Sequence, residues 1–313
     1  MKQLLRETHA YGRIAADARA GRQAQAMLVL FPDGAHLRAL LKECAKAFFA
    51  AEDGSRTASL IDKESYADCL FFPAEGAKLT VDDGARILEE SLLRPVEGEK
   101  KLFVLDALQT ASALVQNKLL KVLEEPPRGV SFLLGATAEH AVLPTVLSRA
   151  EKFVEPPFAE ESILKALFRM YPGQAGAERA AAASGGVLSQ AERLLSGGGE
   201  SFRLAEEFVK NDCPEAFCRR ADKMDKDTFF AALELLLRDM LLIRTEQARY
   251  ASRADERAEA LARAYPAGAI LTALERVREA EKRVNFNAGL GQSLYVLALE
   301  MKEEQIKWQK LSS

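Results

Sequence analysis

The chain has 313 residues, a formal net charge of −3 and 7% aromatic side chains, with leucine and alanine abundant. That length can bury a core in two or three domains. A balance so slightly acidic does not suit a chain that grips DNA unaided, because non-specific affinity comes mainly from cations that neutralise phosphates; any DNA contact is then shared with partners. Residues 2–19 read as a helix, with Leu4, Leu5, Ala15 and Ala16 among charges and an end near Gly21. This amphipathic start lacks the continuous apolar core of a signal peptide, and no stretch reaches transmembrane length. Cys44, Cys69, Cys213 and Cys218 are too scattered for a CxxC pair, so they read as reduced thiols and no metal is expected.

Ala26 to Phe31 (AMLVLF) is a continuous apolar run, as in a buried parallel strand, and meets the turn Pro32, Asp33, Gly34 before a helix over Leu37 to Ala51. Strand, glycine-containing turn and helix is where a phosphate-binding loop belongs. Ala51 to Ser65 is polar and reads as a loop, Asp68 to Phe72 (DCLFF) as the second strand, and Val81 to Leu92 as a helix. Lys101 to Asp106 (KLFVLD) is an apolar run ending in a carboxylate. Asn117 to Pro127 (NKLLKVLEEPP) is a helix followed by a hard stop, since two prolines bar another turn. Val130 to Thr137 (VSFLLGAT) is a further strand. This strand, helix, strand order with an acid at the end of the first strand predicts a parallel βαβ unit of a nucleotide-binding α/β domain.

Pro156 and Pro157 mark a boundary. Helices follow over Ala159 to Met170, Ala175 to Ala183 and, after Ser184, Gly185 and Gly186, Leu188 to Leu195. Ser196 to Glu200 (SGGGE) reads as a linker. From Phe202 onward the pattern is all helix, and the apolar surface over Phe229 to Leu241 is wider than one stripe, so that helix is buried on most sides within protein. Arg219, Arg220 and Lys223 are interleaved with Asp222, Asp225 and Asp227 and carry no DNA assignment.

The runs LLKVLEEPP, FLLGAT and LPTVLSRA (Leu143 to Ala150), in that order after a strand and turn at 26–34, resemble the bacterial clamp loaders of the DNA polymerase III holoenzyme, an AAA+ family, and among them the delta-prime type. The closing VNFNAGL, Val284 to Leu290, is similar to the family's final signature. The resemblance implies an AAA+ P-loop-type α/β domain over 1–156, a helical lid over 157–198 and a helical collar over 199–313. Against the family's phosphate loop GPxGxGK followed by Ser or Thr, Pro32 and Gly34 remain, while Phe31, His36, Leu37 and Arg38 replace two glycines, the lysine and the hydroxyl. Those lost groups give close backbone approach, pair with phosphates and hold magnesium. Asp106 falls on the magnesium-associated aspartate, but Ala107 replaces the glutamate that orients water. Thr137 falls on a γ-phosphate sensor and reads here as a cap or turn, and Ser189 and Gln190 stand where the lid's sensor arginine would be. The zinc module common in relatives is reduced to Cys69.

The resemblance therefore implies no cofactor and no ATPase activity of the chain's own, although it would be a subunit of the polymerase holoenzyme. Ser148 and Arg149 fall on the family's SRC motif, with Ala150 for the cysteine. The resemblance implies that Arg149 is an arginine finger reaching a neighbouring motor subunit's ATP and magnesium, and that Ser148 positions it. Implied partners are the gamma/tau motor and delta subunits, the sliding clamp and primed DNA, in a cytoplasmic replisome. The alternatives are an active gamma/tau-like ATPase, against which Leu37 and Ala107 stand, and an adaptor of the same fold outside replication.

Overall fold

A computed structural model of the chain describes residues 1–22, 24–197, 199–210, 214–221, 224–248, 251–252 and 256–312. Cys213, Asp222, Lys223 and the Gly198 of the SGGGE segment lie outside the described residues. The chain forms two compact units, Met1–Pro157 and Phe158–Ser313.

The first unit is built on five parallel strands, β1 (Ala26–Leu30), β2 (Cys69–Phe72), β3 (Lys101–Leu105), β4 (Val130–Ala136) and β5 (Glu151–Val154), in the order β2-β3-β4-β1-β5. Its helices are α1 (Lys2–Leu5), α2 (His9–Arg19), α3 (Gly34–Phe48), α4 (Arg56–Asp62), α5 (Val81–Ser91), α6 (Ala113–Glu124) and α7 (Pro144–Leu147). Every residue of β1, β3 and β4 is buried, as central strands covered on both faces require. Registers Ala26↔Phe132 and Lys101↔Val130 bring the rings of Phe103 and Phe132 into a stack 5.3 Å apart on one sheet face. Val115, Leu119, Val122 and Leu123 of α6 pack on that same face. The apolar spacing of NKLLKVLEEPP is therefore core spacing. Ser112 starts the helix by accepting from Val115 N, and the helix ends at Glu124, just before the prolines.

Three expectations for this unit are corrected. Residues 2–19 form two helices, not one, because Thr8 accepts from Tyr11 N and the buried Glu155 carboxylate accepts from His9 N and Ala10 N at 3.0 and 2.6 Å, so that a new helix starts there. The segment expected as a loop over 51–65 contains α4, whose first turn is capped by Ser55 accepting from Ala58 N at 3.1 Å. The helix expected from Leu37 begins three residues earlier, at Gly34.

The second unit is wholly helical among its described residues: α8 (Glu160–Met170), α9 (Ala177–Ala183), α10 (Leu188–Ser196), α11 (Glu200–Lys210), α12 (Pro214–Cys218), α13 (Lys226–Arg244), α14 (Glu256–Ala264), α15 (Ala267–Asn285) and α16 (Leu290–Ser312). Its centre is α13, packed against α9, α10, α11, α14 and α15 and burying Phe229, Phe230, Leu233, Leu236, Leu237 and Met240. A parallel α/β unit followed by a unit that is helical among its described residues is the α/β plus all-α fold class expected from the sequence. Among the described residues no helix is long and apolar enough to cross a membrane.

Candidate nucleotide crevice and arginine motif

In an open parallel sheet, ligands bind outside the carboxyl ends of the strands. Here that edge carries the β1–α3 turn, Asp106 after β3 and Thr137 after β4. A phosphate loop needs backbone amides that face outward from an open turn. In this chain the three residues 31–33 cross directly from β1 into α3, and His36 N donates to Asp33 O at 3.1 Å. Asp33 is buried and its Oδ2 lies 2.9 Å from His36 Nδ1. Phe31, on the family's first glycine, is likewise buried. A Cβ added at Gly34 would lie 3.0 Å from Thr137 Cγ2, so the threonine methyl covers the start of α3. Thr137 N donates to Gln109 Oε1 at 3.2 Å, a contact with the segment after β3.

Leu37, on the family's lysine position, is 1% exposed. It packs on β4, where a Cβ at Gly135 would lie 3.1 Å from Leu37 Cδ1 and 2.7 Å from Leu41 Cδ1. The side chain at this position is part of the core. Arg38, on the hydroxyl position, is 8% exposed and points at the carboxylates. Its Nε and Nη2 donate to Glu64 at 2.7 and 2.6 Å, its Nη1 to Asp106 Oδ2 at 3.3 Å, and its Nη2 also to Pro73 O at 3.1 Å. The guanidinium carbon lies 5.5 Å from the Phe71 ring centre, and Lys42 Nζ adds an ion pair to Glu64 at 2.9 Å. Burial lowers the Arg38 affinity for its proton, but the two carboxylates outweigh it and hold the group above its ordinary value. Burial pushes Asp106 up, and Arg38 only partly offsets this; for Glu64 burial is outweighed by Arg38 and Lys42, so its carboxyl lies below the ordinary range. Ala107 follows Asp106 with φ 52°, a left-handed backbone uncommon for a residue with a Cβ. Aliphatic leucine and a paired guanidinium do not supply the ammonium and hydroxyl that a magnesium nucleotide takes from this turn.

Arg149 lies at the other edge of the sheet. It borders a shallow cavity of about 610 Å³ with Ala24, Gln25, Glu124, Ser148 and Glu151, at the beginnings of β1 and β5 and the end of α6. Its side chain is 29% exposed. Nη1 donates to Thr145 O at 2.7 Å and to Ser148 Oγ at 3.2 Å, and Nε donates to Glu124 Oε1 at 2.7 Å, with Nη2 on the same oxygen. Ser148 thus touches the arginine that it was expected to position. Glu124, within the EEPP run, is a partner to which the sequence reading gave no role; its signal was its place one residue before the helix stop, which does not reveal a contact 25 residues away. β1 has five residues between the two edges, about 15 Å at strand rise, so Arg149 is separated from its own chain's turn by the full width of the sheet.

In the helical unit, Gln190 Nε2 donates to Asp227 O at 2.8 Å, and Arg193, one turn on, pairs with Asp227 at 3.0 Å and Asp225 at 3.6 Å. These groups pair within their own unit.

Residues 6–158 match the family described as DNA polymerase III, delta subunit. That match lies over the N-terminal α/β unit and covers just under half of the chain. The chain is also similar to the tau/gamma subunit of Haemophilus influenzae, 33% identical over 93 residues (30% of this chain, 13% of that protein), and to the gamma subunit of Buchnera aphidicola, 34% identical over 94 residues (30% and 26%). It thus spans only 13–26% of the length of these curated relatives. Among solved structures, a gamma subunit-related protein of Thermotoga maritima is similar at 16% identity with a TM-score of 0.46, covering 93% of this chain and 99% of that one. The clamp loader delta protein of Bacillus subtilis is similar at 12% identity with a TM-score of 0.36 and the same coverage.

Proposed function

We propose that this chain is the delta-prime, non-hydrolysing subunit of a DNA polymerase III clamp loader, which gives Arg149 in trans to the ATP site of a neighbouring gamma/tau motor subunit. The observation that carries this reading is the division between the two sheet edges. The turn that would cradle a phosphate has Leu37 in the core and Arg38 on Asp106, whereas Arg149 remains partly exposed and held by Ser148 and Thr145. An arginine a sheet's width from its own chain's turn suits a neighbour's nucleotide and not its own. In this reading ATP and magnesium belong to the motor subunit. The delta subunit, the sliding clamp and primed DNA are the other partners, and the helical unit supplies lid and collar.

The mechanism is electrostatic. As the γ-phosphoryl group leaves, charge develops on its oxygens, and a guanidinium placed against them lowers the barrier. A finger supplied in trans gives about 10³ to 10⁵ in rate, or roughly 4–7 kcal/mol. Arg149 must exchange its Glu124 contact for the phosphate, and the Thr145 and Ser148 contacts keep the side chain aimed during that exchange. The test is ATP hydrolysis by the reconstituted loader, stimulated by clamp and primed DNA. Arg149→Ala is expected to abolish stimulation while gel filtration shows the complex intact. Unchanged hydrolysis in an intact complex would remove Arg149 from the reaction. The second reading, an active motor subunit, is favoured by the names of the curated relatives, gamma and tau. Leu37 and Arg38 oppose it.

A further inference from the structure

Arg38 stands where the motif of the resembled family has a hydroxyl, yet its guanidinium makes four hydrogen bonds in the crevice. Three of its nitrogens face two carboxylates that come from separate segments, Glu64 after α4 and Asp106 after β3, while its own backbone belongs to α3. Pro73 O adds a neutral oxygen and the Phe71 ring covers one side. Carboxylates and a carbonyl converging on one positive centre are the surroundings that a hard divalent cation takes. We propose that Arg38 is a tethered cation, its guanidinium holding Asp106 and Glu64 together as a divalent ion would and so keeping the crevice closed to metal. The inference stands whether or not Arg149 acts in trans.

The charges support it. Arg38 and Lys42 against Asp106 and Glu64 sum to zero, and Lys42 contacts only Glu64 of the pair, at 2.9 Å. Removing Arg38 leaves one net negative charge, concentrated on Asp106, whose carboxylate already pays for burial. A soluble divalent ion then has a place and a driving force that it lacks in the natural chain. An ordinary structural ion pair predicts something else: a loss of stability on Arg38→Ser that magnesium does not touch.

Thermal unfolding of Arg38→Ser at matched ionic strength, with EDTA or with 10 mM MgCl₂, separates the two. The variant is expected to melt about 5–10 °C lower than the natural chain in EDTA, a loss of a few kcal/mol in a chain of this size, and magnesium is expected to restore half or more of that, saturably. The natural chain is expected to move by under about 1 °C, since its cation is built in. Arg38→Ser/Asp106→Asn should melt above Arg38→Ser without metal, short of the natural chain because the Glu64 hydrogen bonds stay lost, and should lose the magnesium response. A variant that melts with the natural chain, or one that gains nothing from either magnesium or Asp106→Asn, overturns the proposal. If Arg38→Ser is unfolded in EDTA, a cooperative transition regained in magnesium supports it, and none regained overturns it.

Discussion

Glu64 and Asp106 share one guanidinium yet shift in opposite directions, and the difference is legible in their contacts. Glu64 receives two short hydrogen bonds from Arg38 and an ion pair from Lys42; Asp106 receives one longer contact from a site that burial has made costly. The folded value of Glu64 lies below its ordinary one, so its contribution is present above about pH 4.3 and is lost as pH falls through the folded value. Asp106 lies above its ordinary value, so its ionisation costs stability at neutral pH and that cost disappears as pH falls. Glu64→Gln is therefore expected to lower stability at pH 7 by about 2 kcal/mol, the scale of hydrogen bonds to a charged group, and to approach the natural chain below pH 4. Asp106→Asn is expected to stay within about 1 kcal/mol of it at pH 7. Urea unfolding at both pH values checks this, and equal losses for the two variants would contradict the assignment. That Leu37 and Arg38 depart from the motif of the resembled family is visible in the sequence. The contacts they make are not, because Arg38 meets its partners 26 and 68 residues away.

Elements were legible where a local rule met a burial pattern. β1, β3 and β4 are continuous apolar runs and were read within a residue, and the stop after Glu124 follows from two prolines. β5 was not read as a strand, because it lies at the sheet edge and only Phe153 of its four residues is buried. Between α1 and α2 the break has a long-range cause. Thr8 is a local cap that periodicity alone passes over, but the anion at the start of α2 is Glu155, from the far end of the domain. A carboxylate on the first amides of a helix satisfies donors left without intrahelical partners and meets the positive end of the helix dipole. Glu155→Ala is expected to cost about 2 kcal/mol, combining a lost cap with a favourable, partly buried dipole contact. Glu155→Gln, which retains one acceptor, is expected to cost less. Hydrogen exchange should show the loss first at the amides of His9 and Ala10; protection there unchanged in Glu155→Ala would show that Thr8 alone starts the helix.

At the scale of the molecule, each of the two compact units engages its polar side chains internally. In the α/β unit Leu37 packs at Gly135 and Arg38 is held by Asp106 and Glu64; in the helical unit Gln190 and Arg193 contact Asp227. On the proposed reading, the stability of the chain is expected not to depend on nucleotide. A ligand present at 100 times its dissociation constant stabilises the folded state by about 2.7 kcal/mol, which in a protein of this size raises the melting temperature by about 4 °C. The melting temperature of the natural chain is therefore expected to change by less than about 1 °C on adding 1 mM ATP with magnesium. A saturable rise of several degrees would mean that the crevice opens and Arg38 yields to a nucleotide, and would favour the active motor reading over the one proposed here. The absence of a rise, together with loss of the loader's hydrolysis in Arg149→Ala, would assign the two edges of one sheet to two different subunits' chemistry.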